Sequence, residues 1–397
     1  MIQFVRPRQR NVVTKSIMKK TLAFLLAAPA FALPTAKFEA QTIDAKITVG
    51  YGLSIADLDG DGKNDIFLID AGQTVCYQSP DWKKHILTEK LTERDHVCIC
   101  AADITGDGKA EVAVGAEWNP GDTKTSGAVY SLESGPDCFK PWNPKALHRE
   151  PTVHRMHWVT ENDGRHFLAV LPLHGPGNVK GEGEGINFLG YRPHQNWQTF
   201  LIHKGFHLAH NFDPVPWGRR KAESILVACK EGIHLLEPNE KSWKATQMTE
   251  KGAGEVRLGK LPNGKRFMVT IEPMHGNEVV INPETESGLW SQKRQVIDDT
   301  LAQGHALVTG DFLGLGYDQL VAGWRKPSSD NKKVGLKLYV PEAKDGSKWK
   351  LHSVIDDNKM ACEDMKAADL NGDGRLDLIA AGRATKNVVI YWNKSGQ

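Results

Sequence analysis

Short apolar runs bounded by glycine- and aspartate-rich turns recur along the chain. Asp65-Ile66-Phe67-Leu68-Ile69 and Glu111-Val112-Ala113-Val114 are two of the clearest. Each follows a tight polar loop and a small-or-apolar stretch, a pattern that predicts strand, loop, strand. Three loops are close copies: Ala56-Asp57-Leu58-Asp59-Gly60-Asp61-Gly62, Ala102-Asp103-Ile104-Thr105-Gly106-Asp107-Gly108 and Ala368-Asp369-Leu370-Asn371-Gly372-Asp373-Gly374. Degenerate copies follow the same plan at 159–170, 212–228, 258–271 and 311–323, which brings the count to seven.

A second, independent period comes from tryptophan. Trp82, Trp142, Trp197, Trp243, Trp290 and Trp349 each open a short polar-alternating strand ahead of the next copy. The last unit stops at Tyr391-Trp392-Asn393, one strand short. Phe38-Glu39-Ala40-Gln41-Thr42-Ile43-Asp44 precedes the first unit and, like Trp349 to Asp356, ends in Ile-Asp. Units of roughly 45 to 60 residues with four short strands fit propeller blades. The expectation is therefore an all-β fold, a seven-bladed β-propeller closed by an N-terminal strand that completes the last blade. An open solenoid would instead call for capping repeats at its ends.

Composition adds limits. The 50 basic and 48 acidic residues are scattered, which points away from a nucleic-acid groove or a patch for an anionic membrane. Met18-Lys19-Lys20, the apolar run Thr21 to Phe31 and the small residues Ala28, Ala30 and Ala32 have the parts of a secretory signal peptide. Residues 1–32 are accordingly set apart as signal and upstream segment, and 33–397 as one propeller domain, secreted or periplasmic. No other stretch approaches the ~20 apolar residues of a membrane helix. The six cysteines lack metal-type spacing, and Cys98 and Cys100 sit in an apolar run, so most are expected to be buried thiols.

In Asp57-x-Asp59-x-Asp61-Gly62-x-x-Asp65, carboxylates at every second position converge because the loop is tightly turned. Hard oxygen ligands at this spacing suit calcium in a structural role. Asp369, Asn371, Asp373 and Asp377 keep an oxygen at each place, whereas Asp103, Thr105, Asp107 and Glu111 substitute a hydroxyl and a longer acid. A purely hydrogen-bonded turn is the alternative for that middle copy. These loops resemble the FG-GAP or VCBS repeat class of propellers.

The entries to the innermost strands carry His96, His154, His210, Glu255, His305 and Asp364, one polar or ionisable residue in six of seven units. The loops between second and third strands should open on the same face, and they offer Glu117, Trp118, His174, Glu272, His275, Trp324, Arg325 and Arg383. Acyl, phosphoryl and hydride transfer lack their usual motifs. Imidazoles with a carboxylate can hold a zinc-like ion with an open position, or can act as general acid and base beside an arginine. Tryptophans there suit sugar rings.

The segments Thr152 to Met156, His210 to Asp213, Gly254 to Arg257, Glu272 to Asn277, Gly304 to Leu307 and Ala322 to Arg325 together resemble the propeller domain of aldos-2-ulose dehydratase. The resemblance implies β-elimination on a keto-sugar or a uronic-acid glycan with a bound metal ion. His154, His210, Glu255, His275 and His305 would then be ligands or acid and base, and Arg155 or Arg257 would polarise a carbonyl or neutralise a uronate. His174, Trp118, Trp324, Arg325 and Asp364 would contact the carbohydrate. The competing expectation is a non-catalytic propeller that binds a glycan or a protein through the same face.

Overall fold

The computed structural model describes residues 33–178, 180–240, 242–328 and 332–396. The predicted export signal lies outside them. Seven four-stranded antiparallel sheets account for nearly all secondary structure among the described residues, with a single 3-10 turn at Pro193–Gln195. The first strands of the sheets are Gly52–Ala56, Cys98–Ala102, Val153–Thr160, Ala209–Pro216, Glu255–Lys260, Gly304–Gly310 and Cys362–Ala368. Each packs against the first strands of both neighbouring sheets, so the seven close a ring around a central channel. We number the blades 1 to 7 in that order. No helix among the described residues is long and apolar enough to cross a membrane.

The second and third strands of each blade are almost wholly buried because both faces meet a neighbouring blade; Asp65–Asp70 and Asp377–Gly382 are buried at every position. Such strands read as continuous apolar runs rather than alternating ones, which is the pattern seen along the chain. The fourth strands lie at the rim and alternate. Their tryptophans bolt one blade to the one before it. Trp82 of blade 1 meets Trp392 of blade 7, Trp243 meets Phe167, Trp290 stacks on Trp217, and Trp349 meets Phe267.

The strand Phe38–Asp44 pairs antiparallel with Asn387–Asn393, from Phe38 opposite Asn393 to Asp44 opposite Val388, and so supplies the fourth strand of blade 7. The indole N–H of Trp392 donates to Gln41 Oε1 at 2.7 Å across this seam. The Ile-Asp ending of the outer strands has a structural meaning. Asp44, Asp298 and Asp356 each accept a hydrogen bond from a tyrosine hydroxyl on the third strand of the next blade, Tyr77, Tyr339 and Tyr391 respectively. All six cysteines are free thiols and five are buried.

Candidate functional site

In four blades the first strand carries one extra residue where it enters the channel. The pairing register skips His154 in blade 3, His210 in blade 4, His305 in blade 6 and Glu363 in blade 7. A bulged residue leaves the ladder, and its side chain is re-aimed. Here the three imidazoles turn toward one another. The ring centroids of His154 and His210 are 4.8 Å apart, as are those of His210 and His305.

The bulge also frees a backbone carbonyl, and the ring of the preceding site uses it. His154 Nδ1 lies 2.8 Å from the carbonyl oxygen of His210, and His305 Nδ1 lies 2.5 Å from that of Glu363; His210 Nδ1 reaches Gly254 O at 3.0 Å. A carbonyl can only accept, so each Nδ1 carries the proton and each Nε2 keeps a lone pair. That is the arrangement by which proteins orient metal-ligating or proton-accepting imidazoles.

His275 comes from the loop after the second strand of blade 5 and completes the group. Its ring stacks 4.8 Å from that of His305, and its Nε2 is 2.8 Å from His210 Nε2. Arg325 Nη2 faces His275 Nδ1 at 3.3 Å. Because an arginine only donates, Nδ1 accepts here and Nε2–H donates to His210. Arg325 is itself held firmly, with Nη1 on both oxygens of Glu363 at 3.0 and 2.9 Å and Nε on Gln303 at 3.1 Å. Arg383 Nη1 shares the same carboxylate at 2.7 Å. Burial first, then neighbouring cations and imidazoles, favour the neutral form of His154, His275 and His305. His154 and His305 are held well below the ordinary histidine range, and His275 is pushed down to about 2.

Nitrogen atoms of His210, His275 and His305 lie within 4.8 Å of one another, one from each ring. Two of the three have Nδ1 fixed on a carbonyl. The set could hold a divalent ion of the zinc type once His275 gives up its Nε2 proton, the ion then taking the place of the His275–His210 hydrogen bond.

Other predicted residues divide clearly. Arg155 Nη1 donates to the His154 carbonyl at 3.0 Å and lies 3.4 Å from its Nε2, and the Trp118 ring is 5.1 Å from that of His154. Glu255, fully buried, receives Asn211 Nδ2 at 2.7 Å and lies 3.2 Å from His210 Nδ1. Asp364 ties blade 7 to blade 1 by accepting Leu53 N–H at 2.8 Å. Trp324 is 2 % exposed; its indole N–H donates to the Lys333 carbonyl and Lys337 Nζ sits over its ring, so it packs in the core. His174 accepts a hydrogen bond at its carbonyl from Thr152 and does not join the imidazole group. Glu272 is buried against Arg294, and His96 accepts Leu91 N–H away from the cluster. Arg257 faces the opposite end of the channel. Sequence reading missed Glu363, the carboxylate that holds both arginines.

On the opposite face, the aspartate loops share one hydrogen-bonding plan. Asp57 accepts Gly60 N–H and Gly62 N–H, both at 2.7 Å; Asp103 does the same with Gly106 and Gly108, and Asp369 with Gly372 and Gly374. The two glycines of each loop have φ between +73° and +86°, which the tight turn requires. Asp65 and Asp377 are buried and each accept two backbone N–H groups, from Leu58 and Ser79 and from Leu370 and Asn393. Burial raises Asp65 to about 6. Oxygens of Asp57, Asp59 and Asp61 converge to within 4.8 Å of one another, which fits a hard cation. Lys63 Nζ pairs with Asp61 at 2.7 Å. Asn371 donates to Asp373 at 3.3 Å in the last copy, and Asp107 accepts Lys109 N–H in the middle one.

Residues 57–114 match the FG-GAP-like repeat model, and 99–132 match the FG-GAP repeat model. These are FG-GAP repeats. Together the matches fall on the first two blades and include two of the three aspartate loops. The propeller as a whole is similar to a chain in the crystal structure of a mitotic checkpoint complex, at 13% identity and a TM-score of 0.56, covering 94% of this chain and 99% of that one. It is also similar to BBS1N, solved in complex with ARL6DN, at 15% identity and a TM-score of 0.56, covering 91% and 97%. At such identities the likeness shows the fold alone. No curated protein matches the sequence.

Proposed function

We propose that the histidine mouth of the channel is the active site of a secreted or periplasmic carbon–oxygen lyase. It would act by β-elimination on a keto-sugar or a uronic-acid-containing glycan. The observation that carries this reading is the convergence of His210, His275 and His305, two of them with Nδ1 anchored on a carbonyl, beside two arginines that share Glu363. A glycan-binding surface needs platforms and hydrogen bonds but has no use for several neutral imidazoles around one point. The resemblance of His154 to Arg325 to aldos-2-ulose dehydratase points the same way.

A divalent ion held by His210, His275 and His305 would supply a Lewis acid for the sugar carbonyl. Arg325 and Arg383 would pair with a carboxylate or an enolate oxygen, where charge develops as the C–H bond breaks. His154 Nε2 would take the proton next to the carbonyl. The imidazolium so formed would give it to the oxygen leaving the β-carbon as the C–O bond breaks, releasing water from a keto-sugar or a sugar hydroxyl from a glycan. The His154 Nδ1–H is fixed on the His210 carbonyl, so the accepting nitrogen cannot change by a tautomer switch. Calcium would be structural, in the loop of Asp57, Asp59 and Asp61 and its copies.

Element-resolved metal analysis, paired with an ultraviolet assay for new double bonds on keto-sugars and uronic-acid glycans, tests the reading. The expected result is a transition metal lost in His210→Ala and His305→Ala while calcium stays, together with absorbance that those variants abolish. Calcium alone in the wild type, with no unsaturated product from either substrate class, would leave a propeller that binds its partner without catalysis.

A further inference from the structure

The channel has a second mouth, on the face of the aspartate loops, and it is also built. A cavity of about 450 Å³ opens there. Every blade contributes to it from its first strand, through Ser54, Cys100, His157, Asp213, Arg257, Thr309 and Lys366 in blade order. A volume in this range is that of a small-molecule pocket. Toward the histidine mouth, the space narrows to about 20 Å³ between Arg155, Asn211 and Asp364. That is room for about one water molecule.

The charges in this cavity are not spent on one another. Arg257 and Lys366 contact carboxylates behind the wall, Glu255 at 3.6 Å and Asp364 at 3.4 Å. Asp213 lines the cavity yet, among the described residues, has neither an ion pair nor a hydrogen bond, although its carboxyl interacts at longer range with Arg257 and Lys366. His157 likewise has no hydrogen-bond partner; its ring only meets Phe212 edge-on at 4.8 Å. Asp213 and His157 are half-buried, so their polar atoms open onto the cavity, and the acid faces two cations without closing on either. The lining carries two cations against one acid, and burial holds Asp213 above the usual carboxylate range and His157 well below the histidine range.

We propose that this mouth is a second binding site, for a small hydroxylated anion of monosaccharide size: a sugar acid or a sugar phosphate. Arg257 and Lys366 take the carboxylate or phosphoryl oxygens, and Asp213 and His157 take the adjacent hydroxyls. The inference stands independently of lyase chemistry at the histidine mouth.

Titration calorimetry on the purified full chain with gluconate, glucose 6-phosphate and glucose tests it. One of the two anions should bind at least about tenfold more tightly than glucose, and which one does so separates the carboxylate source from the phosphate source. Arg257→Gln and Lys366→Gln should each weaken that anion about tenfold or more, while the metal content at the histidine mouth stays as in the wild type. Thermal melts identify a variant that fails to fold, and the second variant then decides. Equal binding of glucose and the anions, no binding of any probe, or unchanged binding by a folded variant overturns the proposal.

Discussion

At the scale of single residues, the bulge is the device that makes the site. His154, His210 and His305 could be found from the sequence because one polar residue recurs at each strand entry. The bulge could not. An extra residue looks like an ordinary step in the alternation, so in blade 7 the sequence pattern points to Asp364, whereas Glu363 is the residue left out of the ladder. Trp324 misled for a related reason: it ends the second strand Gln319–Trp324, where the chain leaves toward the face, but its indole turns back to the Lys333 carbonyl. Glu363 is 3% exposed and compensates both Arg325 and Arg383. Removing one partner of a buried ion pair leaves a charge without its counter-charge, at a cost of about 3 to 5 kcal/mol. Glu363→Ala is expected to lose stability of that order in urea unfolding, with Glu363→Gln losing less because the amide oxygen still accepts.

At the scale of elements, the tryptophan period and the closing strand were both legible because each repeats a local pattern. The Ile-Asp ending that linked Phe38–Asp44 to Trp349–Asp357 is a tyrosine latch between blades, and only the assembled ring reveals the partner. Asp356 is buried, receives Tyr391 Oη–H at 2.8 Å and is also held by Lys359 N–H. Tyr391→Phe removes the donor and keeps the ring, so it should cost about 1 to 3 kcal/mol, measured as a lower urea midpoint with an unchanged slope. The spacing of the aspartate loops predicts metal geometry. Their internal plan, two glycine N–H groups on the first aspartate and two backbone donors on the last acid, is what holds the turn's shape, and Gln319 can stand in for that last acid in blade 6.

At the scale of the whole molecule, seven blades and their closure followed from repeat counting, whereas the second mouth did not. Its residues, His157, Asp213, Arg257 and Lys366, come one per blade from strand interiors, where a polar side chain in an apolar stretch gives no sign of which others it will meet. The ring also holds histidines outside the cluster at the first mouth. His96 is kept neutral by burial and held down to about 4, and His157 is held well below its ordinary range. Their unfolded counterparts titrate near ~6.5. Because the folded values are depressed, the unfolded chain binds more protons below about pH 6.5. Stability is therefore full above that pH and falls as pH drops, by about 1.4 kcal/mol per pH unit for each such histidine, with the share of His96 ending near pH 4. Urea midpoints should decline from about pH 7 to 4.5, and His96→Gln should flatten that decline by roughly one histidine's share. The seam of blade 7 has a consequence for synthesis. Gln41 and Trp392, which meet across it, are 351 residues apart in sequence. Phe38–Asp44 is thus made long before its mate, and until Asn387–Asn393 has been made the nascent chain carries an open sheet edge that a neighbouring chain can capture.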